Sequence, residues 1–276
     1  MPDDTAQSTG MERRAKMSSE EDNDPEFIKS LAKGLAVIEA FGASSPSMTL
    51  SAVSQKVGLS PGSARRVLVT LTKLGYVFYD ENDRRFHLSA RTLQLGYSYL
   101  ASLPAFSLIQ PRLVELSDKL DESCSIMTLD GREVVCIARA TAKRLQRDYM
   151  SVGTRFPANA SSAGKLMLGD LSETEFDRMF PADQMLPAVT PFTINDLGKL
   201  RAQIAQARKQ GWIYTNQETA LGMASLAVPI RVGGRVRHGL STSAILTYDG
   251  PTIVDRYLPD MLKAAEAIER FLEIRN

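Results

Sequence analysis

"SPGSARRVLVTLTKLGY", residues 60–76, decides the fold of the N-terminal part of the chain. Ser60 is placed to cap a helix, and Pro61 stands at its first position, where a missing N–H breaks no hydrogen bond. One side of this helix carries an apolar stripe: Ala64, Val67, Leu68, Leu71 and Leu74. The other side carries Ser63, Arg66, Thr70 and Lys73, with Arg65 on the flank between. The spacing predicts a helix that packs by the stripe and presents hydroxyls and cations to a partner.

Two helices are predicted before it. "FIKSLAKGLAVIEAFG", residues 27–42, repeats apolar side chains at steps of three and four and predicts a helix that stops at Gly42. After a loop, "TLSAVSQKV", residues 49–57, predicts a short helix with Thr49 as its N-cap and Gly58 just past its end. The turn "GLS" then leads into the third helix.

A β-hairpin is predicted after the third helix. "YVFYDENDRRFHLS", residues 76–89, contains two β-rich runs, near 76–79 and 84–88, around a polar tip. Three helices followed by a hairpin are the order of a winged helix-turn-helix, which we predict over residues 27–88.

The charge of the chain is unevenly distributed. Residues 1–26 hold three Lys/Arg against eight Asp/Glu, which gives this block a net charge of −5. Residues 27–91 hold nine Lys/Arg against four Asp/Glu, which gives a net charge of +5. A basic block favours a polyanionic partner, and we expect double-stranded promoter DNA. Residues 1–26 have too little apolar content to form a core and are predicted to be a disordered acidic tail.

The roles of the polar side chains can be divided by where they stand. The major groove, about 12 Å wide, admits a helix whose Arg side chains can pair with guanine. We therefore expect contacts at or near the bases from Ser63, Arg65, Arg66 and Thr70. Phosphate contacts, which position a protein without reading sequence, are expected from Lys73, Arg84 and Arg85, the last two at the base of the hairpin. Surface solvation is the alternative for an isolated Arg-Arg pair.

The rest of the chain predicts a linker helix and a second domain. Residues 89–103, containing "ARTLQLGYSYLAS", predict the linker helix, and Pro104 breaks its pattern. Residues 104–276 then alternate between strand and helix patterns. We expect an α+β domain with a mainly antiparallel sheet there.

Several segments of the second domain carry local signals. "CSIMTLDGREVVCIARA" predicts a hairpin around Asp130-Gly131, and two more strands are predicted around Gly233-Gly234. Further strands are predicted in "RDYMSV" and "WIYTN". Helices are predicted at 161–168, in "TINDLGKLRAQIAQARKQG" with a Thr193/Asp196 capping pair and Gly211 at its end, and in the amphipathic "IVDRYLPDMLKAAEAIERFLEI".

The sequence contains few residues that could form a catalytic or metal site. The chain has two histidines, His87 in the predicted hairpin and His238, so a catalytic triad is hard to assemble. Cys124 and Cys136 flank the Asp-Gly turn nearly opposite each other and are interpreted as core thiols. We expect no enzyme, no cofactor and no metal. Two cysteines, no leader pattern and no membrane-length apolar run favour a cytoplasmic protein that does not contact the membrane.

A small-residue segment, residues 160–164, lies at a predicted helix N-terminus. The Gly-Lys that follows suggests a P-loop, but that motif needs Gly where Asn159 stands and Ser/Thr where Leu166 stands. Free N–H groups at a helix N-terminus suit a carboxylate, so a small organic anion is one interpretation. The other is that Ser161 or Ser162 only caps the helix.

These segments together resemble the IclR family of bacterial transcriptional regulators. The likeness covers nearly everything after Pro25, through "LAKGLAVIEAF", "LSAVSQKVGLSPGSARRVLVTLTKLGYV", "NDRRFHLSARTLQLGYSYL", "VGTRFPANASSAGKLML" and "GWIYTNQETALGMASLAVPI". The resemblance implies a winged helix-turn-helix, a linker helix used in dimerisation and a GAF/profilin-like effector domain that binds small acids and alters promoter occupancy. It implies a homodimer or a dimer of dimers, and contact with RNA polymerase is a further expectation.

The resemblance also implies an effector pocket. Its matching positions are Ser161, Ser162, Ala163, Gly164, Ser225, Ser241 and Ser243. "RDYMSVGTRFPANASSAGK" looks most like the PcaR/PcaU/PobR-type branch, which implies protocatechuate, 4-hydroxybenzoate or β-ketoadipate as effector, with Arg147 and Arg155 as nearby cations. A small keto acid such as pyruvate or glyoxylate is the alternative. A rival from another class is a metabolite-binding module or enzyme whose helix-turn-helix serves in protein contact.

Overall fold

The computed structural model describes residues 25–102, 106–143, 150–246 and 250–273. Nearly all of the predicted acidic tail, residues 1–24, lies outside the described residues. The chain divides after Ser102 into two compact units.

The N-terminal unit has the predicted order of elements. Its helices and strands are α1 (Lys29–Glu39), β1 (Ser47–Met48), α2 (Leu50–Val57), α3 (Pro61–Lys73), β2 (Val77–Asp80), β3 (Arg85–Leu88), a 3-10 turn (Ala90–Thr92) and α4 (Leu93–Ser102). The predicted winged helix-turn-helix is confirmed. The sheet has a third strand, β1, which pairs with β3 in the order β1-β3-β2 where the sequence predicted only loop.

The two central helices begin at the predicted caps. The Thr49 hydroxyl accepts from the Ala52 N–H, and the Ser60 hydroxyl accepts from the Ser63 N–H. Gly58 ends α2 with a φ of 69°, a left-handed conformation that glycine adopts without strain. These local signals fix the tight turn between α2 and α3.

Two sequence predictions for this unit were wrong. Leu74 was predicted in the buried stripe, but α3 ends at Lys73 and the Leu74 side chain is 51% exposed. Arg84 and Arg85 were predicted at the base of the hairpin, whereas they lie at its tip: Arg84 is in the turn with a φ of 55°, and Arg85 opens β3. The rest of the stripe holds, because Ala64, Leu68 and Leu71 are buried and Val67 packs against the core.

The C-terminal unit is built on one six-stranded antiparallel sheet. Its elements are α5 (Phe106–Leu120), β4 (Ser123–Asp130), β5 (Glu133–Ala140), β6 (Arg155–Pro157), α6 (Ser162–Leu168), α7 (Glu173–Met179), α8 (Leu197–Gln210), β7 (Ile213–Asn216), β8 (Met223–Val232), β9 (Arg235–Ile245) and α9 (Gly250–Glu273). The strand order is β6-β5-β4-β9-β8-β7. The predicted α+β class with a mainly antiparallel sheet is therefore confirmed.

Helices cover the sheet. α6 packs against β8 and β9 and in turn against α8, and α5 and α9 pack together and against the sheet. The core below α6 and α8 includes Met127, Cys136, Leu168, Leu200 and Ile213. α5 and α7 were not predicted from the sequence. No helix among the described residues has both the length and the apolar character needed to cross a bilayer.

Three local predictions in this unit were wrong. The strand predicted in "RDYMSV" is absent from its described part, residues 150–152, and the strand lies instead at Arg155–Pro157. Thr193 does not cap α8, because Asp196 alone does so while the Thr193 hydroxyl donates to the Glu218 carbonyl. The two cysteines do not oppose each other.

The cysteines are held apart by the strand register. Cys124 pairs with Ala140, and Cys136 pairs with Met127 after a bulge. Both are buried thiols that form no disulfide, as the core-thiol interpretation predicted. Burial raises the pKa of Cys124 to about 12, so this thiol stays protonated near neutral pH.

Candidate DNA-binding surface and effector site

The solvent side of α3 carries the predicted DNA-contacting side chains. Arg65, Arg66, Thr70 and Lys73 are exposed, and Ser63 is half-buried at the start of the helix. The side chains of Arg65, Arg66 and Lys73 form no hydrogen bond or ion pair within the described part of the chain. The Thr70 hydroxyl donates to the Arg66 carbonyl at 2.9 Å and keeps its lone pairs for another donor. The helix thus presents three unneutralised cations on one surface.

The wing adds two cations at its tip. Arg84 is exposed and without a polar partner among the described residues, whereas Arg85 donates to the Ser47 carbonyl at 3.3 Å. The predicted wing histidine, His87, stacks on Phe78 with the ring centroids 5.0 Å apart and lies 3.2 Å from an Asp83 carboxylate oxygen.

The wing tip also gathers metal-type ligands. Atoms of Asp80, Asp83 and His87 lie within 4.8 Å of one another. Exposed acidic side chains commonly cluster in this way without an ion, and the cluster alone is not evidence for a metal site.

The second candidate site lies under α6. All seven residues of this helix are buried, and Ser161 caps it by accepting from the Gly164 N–H at 3.4 Å. Two close approaches hold α6 in place. A Cβ on Gly164 would lie 2.3 Å from the Ala158 carbonyl oxygen, and the methyl group of Ala163 packs directly over Gly239 of β9. Ser161, Ala163 and Gly164 therefore serve the capping and packing of α6.

Ser162 points from α6 to the sheet. Its hydroxyl lies 2.8 Å from the hydroxyl of Ser225 on β8, and Ser225 also donates to the Thr242 carbonyl at 3.0 Å. The register pairs Ser225 with Ser243, and Ser243 with Ser123. Directly paired residues share one face of a sheet, so these serines line the face that α6 covers.

A second row of polar side chains runs parallel to the first. β4 pairs Ser125 with both Arg139 on β5 and Ser241 on β9. We call the side of the sheet that bears Ser123, Ser125, Arg139, Ser225, Ser241 and Ser243 the hydroxyl face. The hydroxyls of Ser241 and Ser243 make no hydrogen bond within the described segments. The residue Ser241 is largely buried, with 8% of its surface exposed. Neither hydroxyl is among the described polar atoms that are both buried and unpartnered, so both can reach a small molecule.

Arg139 is the functional candidate that the sequence analysis missed. It is half-buried, and its Nη1 donates to the Ser125 hydroxyl at 2.5 Å and lies 3.2 Å from the Met150 sulfur. A guanidinium has five N–H donors, so it can hold Ser125 and a carboxylate together. Only the strand pairing places Arg139 beside the predicted serines, which is why residue patterns along the chain did not reveal it.

The two cations predicted near the pocket have different outcomes. Arg155 lies on the edge strand β6 and forms ion pairs with Asp130 and with Glu133, the latter at 2.9 Å. These two carboxylates already satisfy its charge, and we leave Arg155 out of the proposed pocket. Arg147 lies outside the described residues.

Family models match both units. The IclR helix-turn-helix domain matches residues 30–81, and the C-terminal domain of bacterial IclR transcriptional regulators matches residues 97–270. The two units are those of a DNA-binding transcriptional regulator. The chain belongs to the IclR family.

Several relatives share most of the chain. The Pca regulon regulatory protein of Pseudomonas putida is 38% identical over 88% of this chain and 83% of its own length. The p-hydroxybenzoate hydroxylase transcriptional activator of Acinetobacter baylyi is 34% identical over 77% of this chain and 79% of its own length. These matches confirm the resemblance to the Pca and Pob regulators, and they agree with the expectation that the chain is a regulator and not an enzyme.

Solved structures have the same fold. A transcriptional regulator from Rhodococcus sp. RHA1 is 35% identical with a TM-score of 0.77, covering 91% of this chain and all of that one. An IclR homologue from Microbacterium hydrocarbonoxydans, solved with 4-hydroxybenzoate, is 24% identical with a TM-score of 0.73 over 88% of this chain and 99% of that one.

Proposed function

We propose that this regulator is a ligand-responsive, sequence-specific DNA-binding protein that controls genes of aromatic acid catabolism in the protocatechuate and β-ketoadipate pathway. The observation that carries the proposal is the row formed by Arg139, Ser125 and Ser241 under the buried helix α6. A cation and hydroxyls gathered on one surface are suited to a small organic acid.

Each part of such an acid finds a suitable group on the hydroxyl face. The Arg139 guanidinium can donate a charge-assisted hydrogen bond to a carboxylate. Ser241 and Ser243 can pair with a ring hydroxyl or a keto oxygen, since a hydroxyl both donates and accepts. Ala227, which pairs with Ser241, and Met150, beside Arg139, offer apolar contact for the body of the ligand.

The relatives favour an aromatic acid over a keto acid. The Acinetobacter relative is by name an activator of p-hydroxybenzoate hydroxylase transcription, and the Microbacterium homologue was solved with 4-hydroxybenzoate. We therefore propose protocatechuate, 4-hydroxybenzoate or β-ketoadipate as the effector. Pyruvate and glyoxylate, the alternative effectors, belong in the same test.

Exposed apolar side chains support a homodimer. On α1 and just before it, Ile28, Leu31 and Leu35 are 62%, 60% and 47% exposed. On α4, which has no buried residue, Leu93 and Tyr97 are 74% and 71% exposed. Apolar groups this exposed on neighbouring positions are typical of an interface. A dimer would bring two α3 helices to two half-sites of promoter DNA in the cytoplasm. A dimer of dimers and contact with RNA polymerase remain expectations of the family.

The effector would act by shifting the dimer between two geometries. A ligand can move such a balance only by binding one geometry more tightly than the other. Promoter affinity then follows the acid concentration.

The proposal is tested by thermal unfolding with a panel of acids. The full chain is melted with protocatechuate, 4-hydroxybenzoate, β-ketoadipate, pyruvate or glyoxylate. An acid at about one hundred times its Kd stabilises the native state by about 2.7 kcal/mol. An aromatic acid or β-ketoadipate is expected to raise the melting temperature, and Arg139→Gln is expected to weaken its binding about tenfold or more through the lost charged hydrogen bonds.

Arg155→Gln is the matched control. It removes a guanidinium from the same domain, one that pairs with Asp130 and Glu133 on the edge of the sheet, so binding of the acid should not change. A shift with pyruvate or glyoxylate alone would overturn the aromatic assignment. A protein that responds to none of the five acids would overturn the effector site.

A further inference from the structure

A buried ion pair stands one helical turn after Ser162. The Lys165 Nζ lies 2.6 Å from a Glu218 carboxylate oxygen, and the two side chains are 0% and 5% exposed. The same Nζ donates to Gln203 on α8 at 2.6 Å. The other Glu218 oxygen accepts from the Ile194 N–H at 3.1 Å. The pair therefore joins α6, α8 and the loop between β7 and β8.

A buried ion pair of this kind is not expected to stabilise the fold more than apolar residues would. Two charges lose their hydration on burial, and apolar residues of similar volume often stabilise a fold as well or better. Burial lowers the pKa of Lys165, and the Glu218 carboxylate opposes part of that shift. What an ion pair provides that apolar packing does not is a fixed direction and distance between two elements.

The pair fixes α6 relative to the strand that it faces. Residues three apart on a helix lie on the same side, so Lys165 and Ser162 point toward the same part of the domain. Ser162 meets Ser225 on β8, and Glu218 lies in the loop that leads into β8. The helix is thus attached at two points to one strand and its preceding loop. The apolar contacts of α6 have no comparable directionality.

We propose that Lys165 and Glu218 are positioning residues of the effector site, which hold α6 at the height where Ser162 and the hydroxyl face together fit the acid. The inference rests on the proposed effector function. It assigns no contact with the acid to either residue. Loss of the pair should therefore weaken effector binding more than it destabilises the fold.

The test replaces the pair by uncharged residues of similar size. The Lys165→Met/Glu218→Gln double variant keeps a side-chain oxygen that can accept from the Ile194 N–H. We expect it to fold with a melting temperature close to wild type, because no unpaired charge is left. Its Kd for 4-hydroxybenzoate, measured by titration calorimetry well below the melting temperature, should rise about tenfold.

A second variant separates positioning from a general loss of structure. Lys165→Arg/Glu218→Asp keeps the two charges and roughly the summed length of the side chains, and we expect it to bind within about threefold of wild type. If the Met/Gln variant does not fold, Gln203→Leu removes one acceptor of Lys165 and should raise the Kd about threefold.

The outcomes are distinct. A folded Met/Gln variant with the wild-type Kd overturns the inference and leaves the proposed function intact, as does Gln203→Leu with the wild-type Kd. Wild-type protein that binds none of the five acids overturns both.

Discussion

Gly239 of β9 and Ala163 of α6 approach so closely that a Cβ built on Gly239 would lie 2.6 Å from the Ala163 Cβ and 3.0 Å from its Cα. No side chain fits between this helix and the sheet at that point. The approach sets the depth at which α6 covers the hydroxyl face. Gly239→Ala is expected to destabilise the native state by about 1–3 kcal/mol, as overpacking does in a dense core, and denaturant unfolding measures the loss.

Exchanging the two residues is the control for this prediction. Gly239→Ala/Ala163→Gly removes the methyl group that Gly239→Ala would strike, so part of the lost stability should return. An unchanged unfolding midpoint for Gly239→Ala alone would show that α6 lies farther from the sheet than the structure places it.

Arg66 and Lys73 are expected to contribute differently to DNA binding. Arg66→Ala should weaken binding to the operator by about 1–3 kcal/mol and affect random DNA much less, because a base contact carries sequence information. Lys73→Ala should weaken both to a similar extent and reduce the salt slope by about one. Fluorescence anisotropy at several salt concentrations measures both. Lys209→Ala, an exposed cation in the other unit, should change neither. Equal loss on operator and random DNA would make Arg66 a phosphate contact.

The exposed apolar residues of α4 are expected to form the interface of the proposed dimer. Leu93→Glu/Tyr97→Glu places charges on a surface that would be buried between two copies, so the variant should sediment as a monomer or dissociate at higher protein concentration than wild type. Gln94→Glu changes an intervening position of the same helix and is the matched control. A wild-type mass for the double variant would exclude this surface from the interface.

His238 is expected to make stability depend on pH. Burial first, and the nearby Arg237 charge second, lower the pKa of His238 from 6.5 to about 4. Its Nδ1 is buried and has no hydrogen-bond partner among the described residues. Between pH 6.5 and about pH 4 the unfolded chain takes up a proton at His238 that the folded chain does not. The free energy of unfolding therefore falls as the pH is lowered through this window.

The measurement is the free energy of unfolding from pH 7 to pH 4. His238→Gln should reduce the slope. A full slope in His238→Gln would assign the pH dependence to other groups.

Local signals in the sequence were sufficient to predict most of the helices and strands. Ser60, Thr49 and Gly58 mark helix ends by side-chain and backbone chemistry that acts over a few residues, and the structure has those ends. The hairpin at Asp130-Gly131 follows for the same reason, because a tight turn needs its own residue types. The serines of the proposed effector site were predicted from the family resemblance and not from such signals.

Features that depend on distant contacts could not be predicted in this way. β1 is only two residues long and exists because β3 pairs with it. Arg139 joins the site through pairing across β4, and Glu218 lies 53 residues from Lys165 in sequence. Thr193 is a residue type that often caps helices, yet its hydroxyl donates instead to the Glu218 carbonyl. In each case a tertiary partner decides a role that the local sequence leaves open.

The most direct test of the central claim is the promoter affinity of the full chain with and without its effector. Anisotropy of a labelled fragment from upstream of the regulator's own gene gives the Kd for DNA in the absence and in the presence of a saturating acid identified by the melting panel. A regulator that responds to an acid should change its Kd for DNA by about fivefold or more in one direction, and Arg139→Gln should lose that change at the same acid concentration. An acid that binds the protein and leaves the promoter affinity unchanged would contradict the account.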